Sequence, residues 1–301
     1  MNTICPFCQS NNVDKLKDIT SPFNQKNYEL INCYDCYLQF FTPLIFEQEI
    51  YEAEINQQYI DFHKGRRFFP AWTNEMIRVI KKLKINLNDK TILEIGAGDG
   101  INYTALNEIS HIKPINYYAI ELDSKSIEQC RLKGITNIVH SIFNEAIVSS
   151  INKKFDIILI LEVFEHQTNP RKFIKWVFDL LNSDGLIIMT VPNRERYFIK
   201  YDKELGKMGD FPPHHFLRFN RSFFLRNFNN RLYYLKDYYT GSKYNKFKNV
   251  KESALKLVSV FKMNKRLWIL VAPFVPVIRY MIDIFDKIVG GGIIIVLKND
   301  K

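Results

Sequence analysis

Two cysteine pairs, Cys5-Pro6-Phe7-Cys8 and Cys33-Tyr34-Asp35-Cys36, are separated by twenty-four residues. A two-residue spacer lets both sulfurs of a pair turn inward at a tight bend. Two such knuckles offer four thiolates in a tetrahedron, the arrangement a closed Zn²⁺ site takes. Every ligand slot is a cysteine and none is left for water, so the zinc expected here is structural. Strand-like stretches at Val13–Ile19 and Tyr28–Ile31, with a Ser21-Pro22 turn between them, complete the layout of a zinc ribbon. The fifth cysteine, Cys130, falls in a helical stretch and reads as a core thiol.

A second constellation begins at Thr91-Ile92-Leu93-Glu94-Ile95, an apolar run that enters Gly96-Ala97-Gly98-Asp99-Gly100. Gly96 permits a sharp turn off a strand. Gly98 lets the backbone approach a ligand, and Gly100 lets the following helix pack closely. A dinucleotide fingerprint would place its third glycine at 101, which is Ile. Glu121 ends the next apolar run, Tyr117–Glu121, twenty-one residues after Gly100. A carboxylate at that strand end can accept both ribose hydroxyls of a nucleoside cofactor. Two more features carry chemistry. Glu162-Val163-Phe164-Glu165-His166 follows the apolar run Phe155–Leu161, and Pro212-Pro213-His214-His215 lies in a long connection.

These residues need a scaffold that brings strand ends together. Apolar runs at Thr91–Ile95, Tyr117–Glu121, Ile138–His140, Phe155–Leu161 and Leu186–Val191 alternate with helical stretches, among them Ile101–Ile109, Ser124–Lys133 and Pro170–Leu181. That alternation predicts an α/β fold with a doubly wound, mainly parallel sheet. A sixth strand is expected at Leu232–Tyr239 and a last one at Ile293–Leu297, entered through Gly290-Gly291-Gly292.

Glu94–Gly100 resembles the signature of class I S-adenosylmethionine-dependent methyltransferases. The likeness continues through Phe155-Asp156, Glu162–His166, Leu181–Gly185 and Thr190-Val191-Pro192-Asn193, in the manner of the ubiquinone-type O-methyltransferases. It covers roughly residues 60–240, with a terminal strand near 290–298. The resemblance implies a Rossmann-like, doubly wound, seven-stranded sheet and S-adenosylmethionine as cofactor. It implies cofactor contacts from Glu94, Gly96, Ala97, Gly98, Gly100, Glu121, Ser141, Ile142 and Glu162: the glycine loop at the methionine part, Glu121 at the ribose, Ser141 and Ile142 beside the adenine, and Glu162–His166 along the cleft near the methyl group. The ribbon, with Cys5, Cys8, Cys33 and Cys36 as ligands, resembles that of sugar methyltransferases of antibiotic and surface-polysaccharide pathways. The chain departs from the larger sugar C-methyltransferases in stopping at 301 with no second C-terminal α/β domain, which sets it apart from C-methylation of a nucleotide sugar.

Transfer of a methyl group from a sulfonium is an in-line displacement, in which a protein supplies alignment, a dry cavity and sometimes a base. The connection after the fifth strand, 193–219, has the length of a lid or binding loop. A neutral imidazole there can take the proton of a hydroxyl acceptor. Adjacent residues seldom point the same way, so one of His214 and His215 is expected in the cleft, with His215 slightly preferred. His166 is the third candidate.

The chain has 301 residues, 47% of them hydrophobic and 25% charged, which excludes a disordered, collagen-like or disulfide-built protein. A formal net charge of +10 points to anionic partners. Lys243, Lys246, Lys248, Lys251, Lys256, Lys262, Lys265 and Arg266 make 241–288 a basic helical insert, and Arg66-Arg67 precede the domain. The organisation read from this is a ribbon over 1–45, linking helices over 46–90 and a cofactor-binding domain over 91–301. The acceptor expected is a small molecule or glycan, as a nucleotide- or lipid-phosphate-linked form, methylated on oxygen. An RNA methyltransferase and a non-catalytic zinc- and cofactor-binding module are the alternatives. Residues 1–8 lack a basic stretch followed by an apolar run, so the cytoplasm is expected. The run Leu267–Ile278 is too short and proline-interrupted to span a bilayer but could rest on one through Trp268, Phe274 and Tyr280.

Overall fold

The computed structural model describes residues 3–48, 69–196, 210–238, 264, 266, 268–277 and 290–299. Arg66-Arg67, Tyr280 and most of the expected insert lie outside them.

Three strands open the chain: β1 (Val13–Thr20), β2 (Asn27–Cys33) and β3 (Gln39–Thr42). They form an antiparallel meander with Val13 opposite Cys33 and Leu30 opposite Phe41. Helix α1 (Ala71–Lys82) follows, burying Met76, Val79 and Ile80 at helical spacing. An alternating series then builds the main layer: β4 (Ile92–Ile95), α2 (Ile101–Asn107), β5 (Tyr117–Glu121), α3 (Ser124–Leu132), β6 (Asn137–His140), α4 (Glu145–Ser150), β7 (Phe155–Leu161), α5 (Pro170–Asp179) and β8 (Leu181–Pro192). The chain closes with β9 (Leu217–Arg218), α6 (Arg221–Phe228), β10 (Leu232–Tyr238), a short helix at Trp268–Val271 and β11 (Gly292–Lys298).

The main sheet has seven strands in the order β10-β11-β8-β7-β4-β5-β6. Strands β6, β5, β4, β7 and β8 pair in parallel, and β11 joins antiparallel between β8 and β10. The parallel strands are covered on both faces, which is why β4 and β7 read as unbroken apolar runs. The strand order reverses direction between β4 and β7, so a crevice opens at their carboxyl ends.

The ribbon is not a bead on a string. Strand β9, two residues from the long connection, adds a fourth strand to the ribbon sheet, with Gln39 opposite Arg218 and Phe40 opposite Leu217. An aromatic series bridges the two layers. Phe164, after β7, stacks on Phe219 at 4.8 Å; Phe219 meets Phe223 of α6 at 4.9 Å; Phe223 meets the ribbon's Phe7 edge-on at 4.9 Å. Ribbon and main sheet thus share one hydrophobic core. Among the described residues no helix is long and apolar enough to cross a membrane.

Candidate functional site

A cleft of about 550 Å³ lies at the carboxyl ends of β4, β5 and β7, lined among others by Gly96, Gly98, Glu121, Ser141, Ile142, Glu162, Glu165, His166, His214 and His215. A second hollow of about 630 Å³ lies at the opposite ends of the strands, beside Lys90, Asp156 and Asp184, away from the residues that line the cleft.

One half of the cleft is backbone and carboxylate. Gly96, Gly98 and Gly100 all have positive φ, at 73°, 54° and 77°. An added Cβ at Gly96 would sit 2.5 Å from Val163 Cγ2, so this position admits only glycine. Gly96 N–H donates to the Ile120 carbonyl at 2.8 Å, which ties the loop to the end of β5. The Glu121 carboxylate accepts from the backbone N–H groups of Gly98 (2.7 Å), Leu122 (2.8 Å) and Asp123 (2.9 Å). Burial raises its pKa, against the pull of those three donors. Ser141 and Ile142 follow β6, and Ser141 N–H donates to the Glu121 carbonyl. Phe143 carries this wall on to α5, meeting Phe173 and Trp176 edge-on.

The other half is a group of histidines on carboxylates. A 3-10 turn at Phe164–His166 follows β7 at once and turns Glu165 and His166 inward. Glu162 at the strand end has φ 56°, a left-handed conformation that costs a non-glycine residue about 1–2 kcal/mol. Burial raises its pKa to about 7, opposed by the Tyr238 hydroxyl, which donates to it at 3.2 Å. Glu165 is fully buried, and neither of its carboxyl oxygens has a hydrogen-bond partner. Burial and then the Glu162 charge hold its pKa well above the ordinary carboxyl range.

His214 and His215 both face this cleft. Their rings stack at 4.7 Å and 17°, and each lies 4.6 Å from the His166 ring. Strand-like alternation would have separated them. Instead both of their N–H groups donate to the Phe211 carbonyl, at 3.1 and 3.0 Å, and this turn sets consecutive side chains on one side. His166 Nδ1 lies 2.5 Å from the His214 carbonyl, which can only accept, so Nδ1 carries the proton and Nε2 is the acceptor. Burial and then His215 lower the His166 pKa to about 3, and burial likewise depresses His214; both are neutral imidazoles. His215 Nδ1 faces Asp210 Oδ1 at 3.1 Å, and its Nε2 stands 3.8 Å from Glu165 Oε1. Burial opposes ionisation of Asp210, but Arg196, with its guanidinium at 2.5 Å, and His215 outweigh it and hold the group below the carboxylate range. Asp210 is therefore an anion that can only accept, so His215 Nδ1 carries a proton toward it.

Two groups of side chains have the convergence to hold a metal ion. In the ribbon, Cys5, Cys8, Cys33 and Cys36 place their sulfurs within 4.8 Å of one another, with Cys5–Cys36 and Cys8–Cys33 at 3.5 Å. A tetrahedral Zn²⁺ with bonds of about 2.3 Å needs sulfurs roughly 3.8 Å apart, so the four thiols fit one. The ring nitrogens of His166, His214 and His215 also lie within 4.8 Å of one another.

The family described as "Methyltransferase domain" matches residues 64–232, more than half of the chain. The chain belongs to this methyltransferase family. A ubiquinone biosynthesis O-methyltransferase of Rickettsia prowazekii (strain Madrid E) is 26% identical over 123 residues, 39% of this chain and 47% of that protein. Another, of Glaesserella parasuis serovar 5 (strain SH0165), is 28% identical over 159 residues, 46% of this chain and 66% of that protein. The chain spans about half the length of the Rickettsia relative. In fold it is similar to the plantazolicin methyltransferase BamL, solved with a triazolic desmethylPZN analog and SAH, at TM-score 0.51 and 14% identity over 84% of this chain and 94% of that one. The seven-stranded sheet is that of the class I S-adenosylmethionine-dependent methyltransferases.

Within this methyltransferase, six of the nine residues assigned to the cofactor by sequence line the cleft: Gly96, Gly98, Glu121, Ser141, Ile142 and Glu162. Glu94 does not. It is fully buried beneath the loop, accepting from Asn102 Nδ2 at 2.7 Å and from the Tyr117 hydroxyl. Ala97 is buried, and Gly100 is the residue before α2, where a Cβ would press Ile135 at 3.1 Å and Cys130 at 3.2 Å. These three shape the loop from behind. Asp210 and Arg196 escaped the sequence reading, whereas Glu165 belongs to the stretch Glu162–His166 expected along the cleft and does line it. Asp210 lies five residues before its histidine with no motif around it. Asn169 caps α5 by accepting from Lys172 N–H. Among the described residues of the basic insert, Phe274 is exposed.

Proposed function

We propose that this methyltransferase moves the methyl group of S-adenosylmethionine to a hydroxyl oxygen of a small acceptor, with a sugar or surface-polysaccharide precursor as the acceptor class and the cytoplasm as its setting. The observation that carries this reading is the opposition, across one cleft, of a glycine loop with its ribose-type acid and a carboxylate-held imidazole. When bound, the cofactor supplies an electrophilic methyl carbon. Gly96 and Gly98 would leave room for its amino-acid part, Glu121 would accept from its ribose, and Ser141 and Ile142 would border its base. Glu162 marks the passage to the acceptor side. His215 takes the acceptor's hydroxyl proton on Nε2 while Asp210 stabilises the imidazolium that results. His166 and His214, neutral and buried, line the acceptor pocket, and Glu165 can donate a hydrogen bond to an acceptor oxygen. The carbon–sulfur bond breaks as the carbon–oxygen bond forms, and S-adenosylhomocysteine leaves. Zn²⁺ on Cys5, Cys8, Cys33 and Cys36 is structural in this reading.

A second reading of the acceptor side rests on the convergence of the three histidine nitrogens, which fits a divalent cation that would bind the acceptor oxygen. The test is a screen with methyl-labelled S-adenosylmethionine against nucleotide sugars, lipid-phosphate-linked sugars, phenols and RNA. Label in a sugar hydroxyl supports the proposal, and label in RNA alone overturns the acceptor class. Turnover lost on mild chelation that leaves the ribbon zinc bound selects the cation reading.

A further inference from the structure

Among the described residues, the ribbon holds the histidine loop of the cleft. Strand β3 takes β9 as its partner, two residues beyond His215, and Phe41 N–H donates to the Phe216 carbonyl at 2.8 Å. Ser21, at the β1–β2 turn, is fully buried although polar. Its hydroxyl donates to the Pro212 carbonyl at 2.5 Å and accepts from Phe23 N–H at 3.1 Å. The Phe23 ring lies 6.0 Å from the His214 ring. Two fixed points of the ribbon thus bracket the pair His214-His215, one at Pro212 and one at Phe216–Arg218. The cleft wall holds the same loop from the other side, through His166 Nδ1 on the His214 carbonyl and Phe216 N–H on the Glu165 carbonyl at 2.9 Å.

The metal knuckle is one short step away. Cys33 ends β2 and donates its N–H to the Leu38 carbonyl at 2.8 Å, so the Cys33–Cys36 knuckle is the hairpin that launches β3. The cofactor half has a different support. Gly96 is tied to Ile120, and Glu121 to Gly98, within β4, β5 and their turns.

We propose that the ribbon is the positioning device of the histidine loop, with Ser21 and strand β3 as its positioning elements, so that the ribbon metal governs the acceptor half of the site and not the cofactor half. This rests on reading the histidine loop as the acceptor side. It assigns the ribbon to the enzyme's own active site, where a zinc ribbon could otherwise be a docking module for a partner.

The chain has six histidines, so protein labelled only in histidine gives a spectrum in which each ring can be followed. Ring resonances and S-adenosylmethionine affinity would be measured for the full zinc-loaded chain, for Ser21→Ala and for Ser21→Thr. The expected result is that Ser21→Ala shifts His214 and His215, leaves the exposed His111 and His140 in place, keeps one zinc per chain, and changes cofactor affinity less than twofold. Ser21→Thr, which keeps the hydroxyl, should return both resonances toward wild type. Zinc removal should shift the same pair and reloading restore it. Unmoved His214 and His215 resonances in Ser21→Ala overturn the proposal, as does a shift of all rings together with at least a tenfold loss of cofactor affinity. If chelation unfolds the chain, the Ser21 variants decide. The ring resonances need neither cofactor nor acceptor, so a wild type that ignores S-adenosylmethionine would count against methyl transfer while the resonances still judge the clamp.

Discussion

Glu94 offers a sharp test of how the glycine loop is supported. Its carboxyl is fully buried under the loop, with Asn102 Nδ2 and the Tyr117 hydroxyl donating to it; Thr73 Oγ1 lies 2.6 Å from Asn102 Oδ1 and extends the network to α1. Burial raises its pKa to about 7, the two hydrogen bonds pull the other way, and the charges of Glu121 and Asp99 add to the rise. In the unfolded chain the same group titrates near 4.5. The native state therefore binds this proton more tightly. Its stabilising contribution is complete below the unfolded pKa and is lost as pH rises through about 7. Between pH 5 and pH 8 the loss works out at about 2–3 kcal/mol. Glu94→Gln is neutral at both pH values and lacks that loss. Urea unfolding of wild type and variant at the two pH values should show the variant gaining about 2–3 kcal/mol relative to wild type at the higher pH, a relative midpoint shift of roughly 1 M. A stability difference that does not change with pH would refute the reasoning, since Glu94 would then be ionised in the native state and the network would be holding a carboxylate.

Other perturbations test the rest of the site. Gly96→Ala places a Cβ 2.5 Å from Val163 Cγ2 at φ 73° and should destabilise the fold by about 2–4 kcal/mol, read as a fall in thermal midpoint, with cofactor affinity down at least tenfold. Asp210→Asn removes the anion on His215 Nδ1 and should cut turnover about 10²- to 10⁴-fold with the best acceptor of the screen, while cofactor affinity stays within threefold; equal turnover would remove His215 as the base. Cys33→Ser should lose the zinc, measured by metal analysis, and lower the thermal midpoint, because the ribbon shares the main core. Retained stoichiometric zinc would contradict a four-thiolate site.

The parts of the fold legible in sequence are those set by local pattern. Buried parallel strands read as apolar runs, and β5 and β7 end where the runs end. The doubly wound, seven-stranded sheet followed from the alternation together with the likeness to methyltransferases. The paired CxxC knuckles are local as well. Nonlocal pairing is what the residues concealed. Strand β9 is two residues long and becomes a strand only because β3 offers an open edge 177 residues earlier in the chain, counted from Leu217 back to its partner Phe40. The stacked histidines depend on a turn at Phe211 that no composition rule announces. Glu94 carries the family's motif acid, yet its neighbours Asn102 and Tyr117 turn it into an internal buttress.

The central claim is that the crevice between β4, β5 and β7 holds S-adenosylmethionine. Isothermal titration of the zinc-loaded chain with this cofactor tests it most directly, with Gly98→Arg as the comparison, since Gly98 lines the cleft beside Glu121. Micromolar binding by wild type and none by a folded Gly98→Arg is the predicted result. A folded, zinc-loaded wild type that binds no cofactor, with or without the acceptors of the screen, would contradict the account.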